Sequence, residues 1–463
     1  MTEKRPLEPN DLYRLRLISD AQIAPDGSRV AFVLRQMNED KNDYISNIHV
    51  VDRDGVVRQF TSGEKDSAPR WSPDGRWLAF LSGRKEKAQI HLLSTSGGES
   101  VALTELKLGA GVPFWSPDST AIAFTGQVST DPEEESDDEK KDDKKVPRTK
   151  IVERGSYKLD GAGYIGNRRR HIFRIDVEER KVEQLTEGDH HNDMPAWSPD
   201  SQHIAFDSNR LPRWDVSSEG DIYIIPRSGG EARKLTSSAS YSNPVFSPDG
   251  SRVAFIGNTD PDDVFAPARL YSTTRDGSDL RDELGDWDGS MGNDVSSDVV
   301  PANGLNLEWR RDGLYFVGTE RGEANVYCAR GGAAPVTSGR HTVTDYSFAD
   351  DGTLAYCRAD ATHPSEVFIR CGEETRQLTH ENDAFLDEVH IAQPERFSFV
   401  GANGEESEGW LLAPRGHADG KHPLLVYVHG GPQTAHGEAF FFEYQFHAGQ
   451  GFGVFFPNIH GSS

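Results

Sequence analysis

The stretch His429-Gly430-Gly431-Pro432 carries the most specific chemistry in the sequence. Two successive glycines let a backbone N–H approach a developing oxyanion with no side chain in the way. Pro432 has no N–H, so the donor falls to Gly431, and a following proline biases that residue toward extended φ/ψ. The stretch lies directly behind His422-Pro-Leu-Leu-Val-Tyr-Val-His429, an apolar run that alternates little and reads as a strand covered on both faces. A nucleophile to match it is missing: no Gly-x-Ser-x-Gly occurs in the 463 residues. Ser462 and Ser463 are followed by no elbow or helix to expose and activate them, and His429, His436, His447 and His460 precede any such serine and read as structural. The sequence thus offers one oxyanion donor and places the serine, acid and base of a triad downstream or in another chain.

A second concentration of functional groups is Arg154-Gly-Ser-Tyr-Lys-Leu-Asp-Gly-Ala-Gly-Tyr-Ile-Gly-Asn-Arg-Arg-Arg170. Arg168, Arg169 and Arg170 could hold a peptide carboxylate through charge-assisted bonds. Alternatively they neutralise the neighbouring run Ser129–Lys145, whose nine acids and four lysines cannot join a core and read as a surface loop. No metal site or cofactor is implied. Cys328, Cys357 and Cys371 are odd in number and show no C-x-x-C spacing, which argues against a disulfide framework or zinc site and suits small buried groups in a reducing compartment.

The elements that must position these groups come as a repeat. Ala68-Pro-Arg-Trp-Ser-Pro-Asp-Gly-Arg-Trp-Leu-Ala-Phe-Leu-Ser82 joins a tight turn, Ser72-Pro-Asp-Gly75, to a short apolar strand. Copies stand at Ala24-Pro-Asp-Gly27, Trp115-Ser-Pro-Asp118, Trp197-Ser-Pro-Asp200 and Phe246-Ser-Pro-Asp-Gly250, with worn ones at Trp309–Gly313 and Phe348–Gly352, which makes seven. Between copies an alternating strand closes on Leu-Thr or a near equivalent, as in Gln89-Ile-His-Leu-Leu93 before Leu103-Thr104; only the fifth repeat lacks a clear closing pair. A period of roughly 40 to 50 residues holding several short strands marks a β-propeller, whose blades must stack to bury both faces. The Trp or Phe heading each copy is then expected in the core between blades.

Composition limits the rest. A net charge of −25 argues against sequence-independent nucleic-acid binding, and 35% hydrophobic residues with 45 Gly and 25 Pro suit turn-rich β structure. No secretory h-region or membrane-length apolar run is present, so a cytoplasmic location is expected. Asn10 can cap a short helix in which Leu12, Leu15, Leu17 and Ile18 share a face. The stretch Asp276–Pro301 reads as a long polar loop around Trp287 and Met291. After Thr379 the repeat stops. A hairpin turning at Asn403-Gly404, the strand before His429, a helix through about Ala448 and a strand Gly453–Pro457 follow. The expected organisation is a helical arm (1–22), a seven-bladed β-propeller (23–385) and the N-terminal part of an α/β-hydrolase domain (386–463), mainly β in all.

The helical arm, the Trp-Ser-Pro-Asp-Gly repeats, His429-Gly-Gly-Pro432 and Pro457-Asn-Ile-His-Gly-Ser-Ser463 together resemble the prolyl oligopeptidase family of serine peptidases, in its acylaminoacyl-peptidase branch. The resemblance spans nearly the whole chain. It implies a propeller that covers a Ser-Asp-His site and admits short, N-acylated peptides as substrates; a homo-oligomer is compatible with it. The family commonly has Asn-x-Arg-Gly-Ser where His460 stands here, which leaves the charge near the site different. The other reading open to the residues is a TolB-like propeller interaction module without catalysis, which would have no need of His429-Gly-Gly-Pro432.

Overall fold

The computed structural model describes residues 4–129, 151–160, 163–237, 239–263, 266–299, 306–402, 404–416, 420–431 and 433–463. The acidic run from residue 130 onward, Asn403 and Pro432 lie outside them. The chain divides into two compact units, Met1–Trp71 with Glu283–Ser463, and Ser72–Asp282.

In the first unit, the first repeat is an antiparallel meander of Leu17–Ile23, Arg29–Asn38, Asp43–Asp52 and Val57–Gln59. The sixth (Leu307–Arg310, Gly313–Glu320, Glu323–Ala329, Ala333–Pro335) and seventh (Thr342–Phe348, Leu354–Asp360, His363–Cys371, Glu374–Gln377) join through the pair Ala324 and Thr342. The second repeat gives Asp66–Trp71 to this unit and Trp77–Ser82, Gln89–Ser94 and Val101–Ala102 to the other. The second unit also holds the third to fifth repeats, each four-stranded, and a small hairpin of Lys158–Leu159 and Gly163–Tyr164. Among the described residues no helix is long and apolar enough to cross a membrane.

Three recurrent contacts explain why this sequence repeats as it does. The serine of each Ser-Pro-Asp turn (Ser72, Ser116, Ser198, Ser247) donates to its aspartate at 2.5–2.7 Å and accepts the first N–H of the following strand at 2.9–3.0 Å. This pins the turn to the strand it starts. The Leu-Thr pairs end six repeats for a similar reason: the hydroxyls of Thr61, Thr104, Thr186, Thr236, Thr337 and Thr379 each accept a strand N–H at 2.8–3.0 Å where the outer strand leaves the ladder. A third device runs through all seven repeats. Phe32, Phe80, Phe124, Phe206, Phe255, Phe316 and Tyr356 face His49, His91, Phe173, Tyr223, Tyr271, Tyr327 and Phe368 across the strand pair at centroid distances of 5.5–6.5 Å. The first ring of each pair is fully buried, so truncating one to Ala costs about 3–5 kcal/mol.

The heading aromatics pack between blades as expected. Trp197 lies with Ala121, Ala123 and Ile172 of the preceding repeat and donates its indole N–H to Phe114 O at 3.0 Å; Phe246 packs on Ala205 and Ile222; Trp71 donates to Gln22 O at 2.8 Å. Trp115, Trp309 and Phe348 are half-buried.

Several expectations need correction. The N-terminal helix is a 3-10 segment, Pro9–Arg14; Leu17 and Ile18 belong to the first strand, because its pairing with Arg29–Asn38 outweighs a helical face of four leucine and isoleucine side chains. Cys371 is exposed, whereas Cys328 and Cys357 are buried free thiols. The long loop Asp276–Pro301 contains the strands Arg281–Asp282 and Ser290–Met291, and Trp287 packs on Phe316 and Tyr327 at 5.3 Å.

Candidate functional site

After the seventh repeat the hairpin Glu395–Val400 and Glu406–Leu412 pairs with Gly453–Pro457, which in turn runs parallel to Leu424–Val426. The last two strands are joined by the loop that carries His429 and Gly431 and by the helix Phe442–Gly449. Leu424–Val426 is shorter than the run of apolar residues suggests. Among the described residues it pairs on one side only, and Leu424, Val426 and Val428 are 54, 57 and 61% exposed, so the run is not covered on both faces as expected.

Gly431 is exposed and has φ +133°, not the extended conformation expected before a proline. Glycine is required there: a Cβ would lie 2.8 Å from Gln433 N, and φ itself disfavours any L side chain. Among the described residues no acceptor takes the Gly431 N–H. The neighbouring peptide is tethered, since Gly430 O lies 2.9 Å from His429 Nδ1. His429 Nε2 lies 2.7 Å from Ser462 Oγ, which also reaches Ile459 O at 2.7 Å. This Ser–His contact lacks the carboxylate that orients a catalytic base: the second ring nitrogen of His429 meets a carbonyl. His460 is exposed and bonds to nothing among the described residues.

The loop is held firmly on its C-terminal flank. His436 is buried, and burial pushes its imidazole down to about 4. A neutral ring suits its partners: Nδ1–H donates to Pro457 O at 3.1 Å and Nε2 accepts from Tyr444 OH at 3.0 Å. Asn458 accepts His436 N–H at 2.7 Å and donates to His436 O at 3.1 Å. Glu438 is buried and takes Trp410 Nε1–H at 2.8 Å and Arg340 Nε–H at 2.9 Å. Gly437 must be glycine, since a Cβ would sit 2.0 Å from Gly322 O.

The segment before the sixth repeat supplies residues that sequence reasoning missed. Asp294 O accepts from Thr434 Oγ1 at 2.8 Å and from Ala435 N at 2.9 Å, and Ser296 N donates to Ala435 O at 2.8 Å. Asp298 accepts the N–H groups of Phe442 and Glu443, both at 2.8 Å, and so caps a helix whose own preceding residue offers no cap. Burial pushes its carboxyl up to about 6 against those two bonds. A packed joint of Leu7, Leu15, Val299, Phe385, Phe440 and Phe442 lies in the same unit.

The arginines lie in the second unit. Arg169 is buried, its Nε–H on Asp189 Oδ1 at 2.8 Å and its guanidinium 4.9 Å from the Trp214 ring. Arg170 Nε–H reaches Asp193 Oδ2 at 2.5 Å. Arg168 has no carboxylate partner among the described residues. Two of the three thus already hold internal acids.

The chain is thus a series of four-stranded repeats followed by a hairpin and a strand–glycine loop–helix–strand unit. Residues 136–364 match the family described as Acylaminoacyl-peptidase, N-terminal beta-propeller domain. The whole chain is 31% identical over 473 residues to the uncharacterized peptidase YuxL of Bacillus subtilis, covering 99% of this chain and 71% of that protein. It is 26% identical over 500 residues to dipeptidyl-peptidase 5 of Porphyromonas gingivalis, covering 98% and 68%. The Pyrococcus horikoshii acylaminoacyl peptidase superposes with a TM-score of 0.81 at 24% identity over 98% of this chain and 66% of that one. The chain belongs to the prolyl oligopeptidase family of peptidases, with the propeller of the acylaminoacyl-peptidase branch. It spans about two thirds of the length of these relatives.

Proposed function

We propose that this chain provides the propeller gate and the oxyanion loop of a cytoplasmic serine peptidase that acts on short, N-acylated peptides. The observation that carries the proposal is Gly431: an exposed residue whose N–H has no acceptor among the described residues, on a glycine-only backbone, in a loop anchored through Tyr427 N on one side and through Thr434 and His436 on the other. In this reading the C-terminal sheet is the opening of an α/β-hydrolase domain, and the second oxyanion donor is the N–H that follows the catalytic serine. With no Gly-x-Ser-x-Gly in the sequence, the 463-residue polypeptide is inactive alone. Arg168, the one arginine of its trio without an acidic partner among the described residues, is the cation left to engage a substrate carboxylate.

The test is the complete gene product assayed on acetyl-alanine p-nitroanilide beside the same substrate with a free amine. Preference for the acylated form supports the proposal; preference for free-amine dipeptidyl substrates favours the second reading, that of a dipeptidyl-peptidase, which the name of the Porphyromonas relative suggests. Recognition of an amine needs a paired acid, and Glu178-Glu179 and Glu373-Glu374 are exposed turn and outer-hairpin residues. No turnover of either substrate would favour a TolB-like interaction module. Labelling of Ser462 by a fluorophosphonate would make the His429–Ser462 pair catalytic and overturn the assignment of the nucleophile elsewhere.

A further inference from the structure

We infer that His429 is a positioning residue whose imidazole selects the orientation of the Gly430–Gly431 peptide and thereby aims the Gly431 N–H. The inference rests on Gly431 being the oxyanion donor and goes beyond it by naming what holds that donor still.

The loop around this peptide is fixed. Thr434 and Ala435 are bonded to Asp294, His436 to Asn458 and Pro457, and Ser463 N donates to Thr434 O at 3.1 Å. The peptide between Gly430 and Gly431 is flanked by two residues without Cβ atoms, and an added Cβ at Gly430 would meet nothing within 4 Å. Such a peptide meets the smallest steric barrier to rotating by half a turn. That rotation would reverse the N–H while leaving the chain path almost unchanged, because the carbonyl and N–H of one trans peptide point in opposite directions.

One bond opposes the rotation. Gly430 O lies 2.9 Å from His429 Nδ1, and among the described residues it is the only hydrogen bond to either polar group of this peptide. A carbonyl oxygen only accepts, so Nδ1 carries the proton. Nε2 lies 2.7 Å from Ser462 Oγ, whose hydroxyl is itself anchored on Ile459 O at 2.7 Å, and this second contact holds the ring plane. The ring is further set by the edge of His436, at a centroid distance of 5.0 Å and an interplanar angle of 82°. With the carbonyl drawn toward the imidazole, the Gly431 N–H points away from it, outward from a residue that is exposed. Ser462 sits in the Pro457–Ser463 segment, so the contact also gives that segment a part in the oxyanion loop.

The experiment uses the complete gene product with His429→Phe, which keeps a ring but no donor, and His429→Asn, whose amide N–H can replace Nδ1–H. On the acylated p-nitroanilide, His429→Phe should lower kcat about three- to tenfold, the worth of one net hydrogen bond, with KM within about twofold. His429→Asn should recover most of that loss, and Ser462→Ala should fall between the two. In carbonyl-¹³C, amide-¹⁵N glycine-labelled protein, the Gly-Gly pairs at 97–98, 229–230, 331–332 and 430–431 give separate correlations. The 430–431 signal should move in His429→Phe and stay near its place in His429→Asn. Unchanged kcat and an unmoved signal in His429→Phe, or equal losses in the Phe and Asn variants, would overturn the inference. If instead the wild type turns over no acylated substrate, the proposed function fails, while the 430–431 signal still decides whether His429 holds the peptide.

Discussion

Replacing Asp298 should separate the helix cap from its charge. The carboxylate accepts two N–H groups at the start of Phe442–Gly449, a role usually worth about 1 kcal/mol, with about 0.3–1 kcal/mol more from the helix dipole. Burial works against the ion and raises the carboxyl from 3.8 to about 6. At about 1.4 kcal/mol per unit, ionising it in the folded protein costs roughly 3 kcal/mol more than in the unfolded chain. The sign follows: between about pH 4 and 6 the unfolded state gives up this proton first, so the contribution of the group to stability is full at low pH and is lost as pH rises through 6. Asp298→Asn keeps one acceptor without the charge. It should match wild type near pH 4 and exceed it near pH 7 by up to roughly 3 kcal/mol, since the raised value already includes the two N–H bonds. Asp298→Ala should lie about 1 kcal/mol below Asp298→Asn at both pH values. Urea unfolding at the two pH values and hydrogen exchange of the 442–449 amides report this directly. A deficit of Asp298→Asn that is the same at pH 4 and pH 7 would refute the reasoning.

Other outcomes can be checked in parallel. An ester in place of the Gly431 N–H, introduced by ligation, should lower kcat of the complete gene product about 10²–10³-fold; the φ of +133° makes proline substitution unsuitable, since proline needs about −65°. Asp207 is half-buried beside Asp193, and desolvation and that neighbouring acid push its carboxyl up to about 7, so Asp207→Asn should raise the unfolding midpoint at pH 8 and leave it little changed at pH 4. His436, held down to about 4 by burial, should make stability fall as pH drops from 6.5 toward 4, and His436→Gln should show a shallower fall over that window. Exchange of the amides at 424–428 should exceed that at 77–81, since the first run is an exposed edge whereas Leu78, Ala79 and Phe80 are fully buried.

Much of the fold was legible because its causes are local. A Ser-Pro-Asp-Gly turn bonds within five residues, and a Leu-Thr pair reports a hydroxyl about a dozen residues from the N–H it serves. The aromatic ladder was missed because its partners are mixed, with His49 and His91 standing where later repeats have Phe or Tyr. The helix cap was illegible for a different reason: Asp298 and Phe442 are 144 positions apart, and Asp298 stands in a stretch whose polarity looked like that of any loop. Of the candidate site, composition and spacing pointed to Gly431 but not to its left-handed backbone or to the contact between His429 and Ser462.

The segment around Asp294 and Asp298 bears on how such a protein can be recombined. A crossover at residue 386 looks natural, since the repeats end there and a different sheet begins. A segment grafted from that point onto another propeller would arrive without the carbonyl that anchors Thr434, the carboxylate that starts its helix, or the Gly322 carbonyl that Gly437 is shaped to pass. The heritable module is therefore discontinuous. Functional chimeras should require that the stretch from about 290 to 323 travel with the C-terminal sheet, and natural exchange between family members should be rarer at 386 than the change in sequence character suggests.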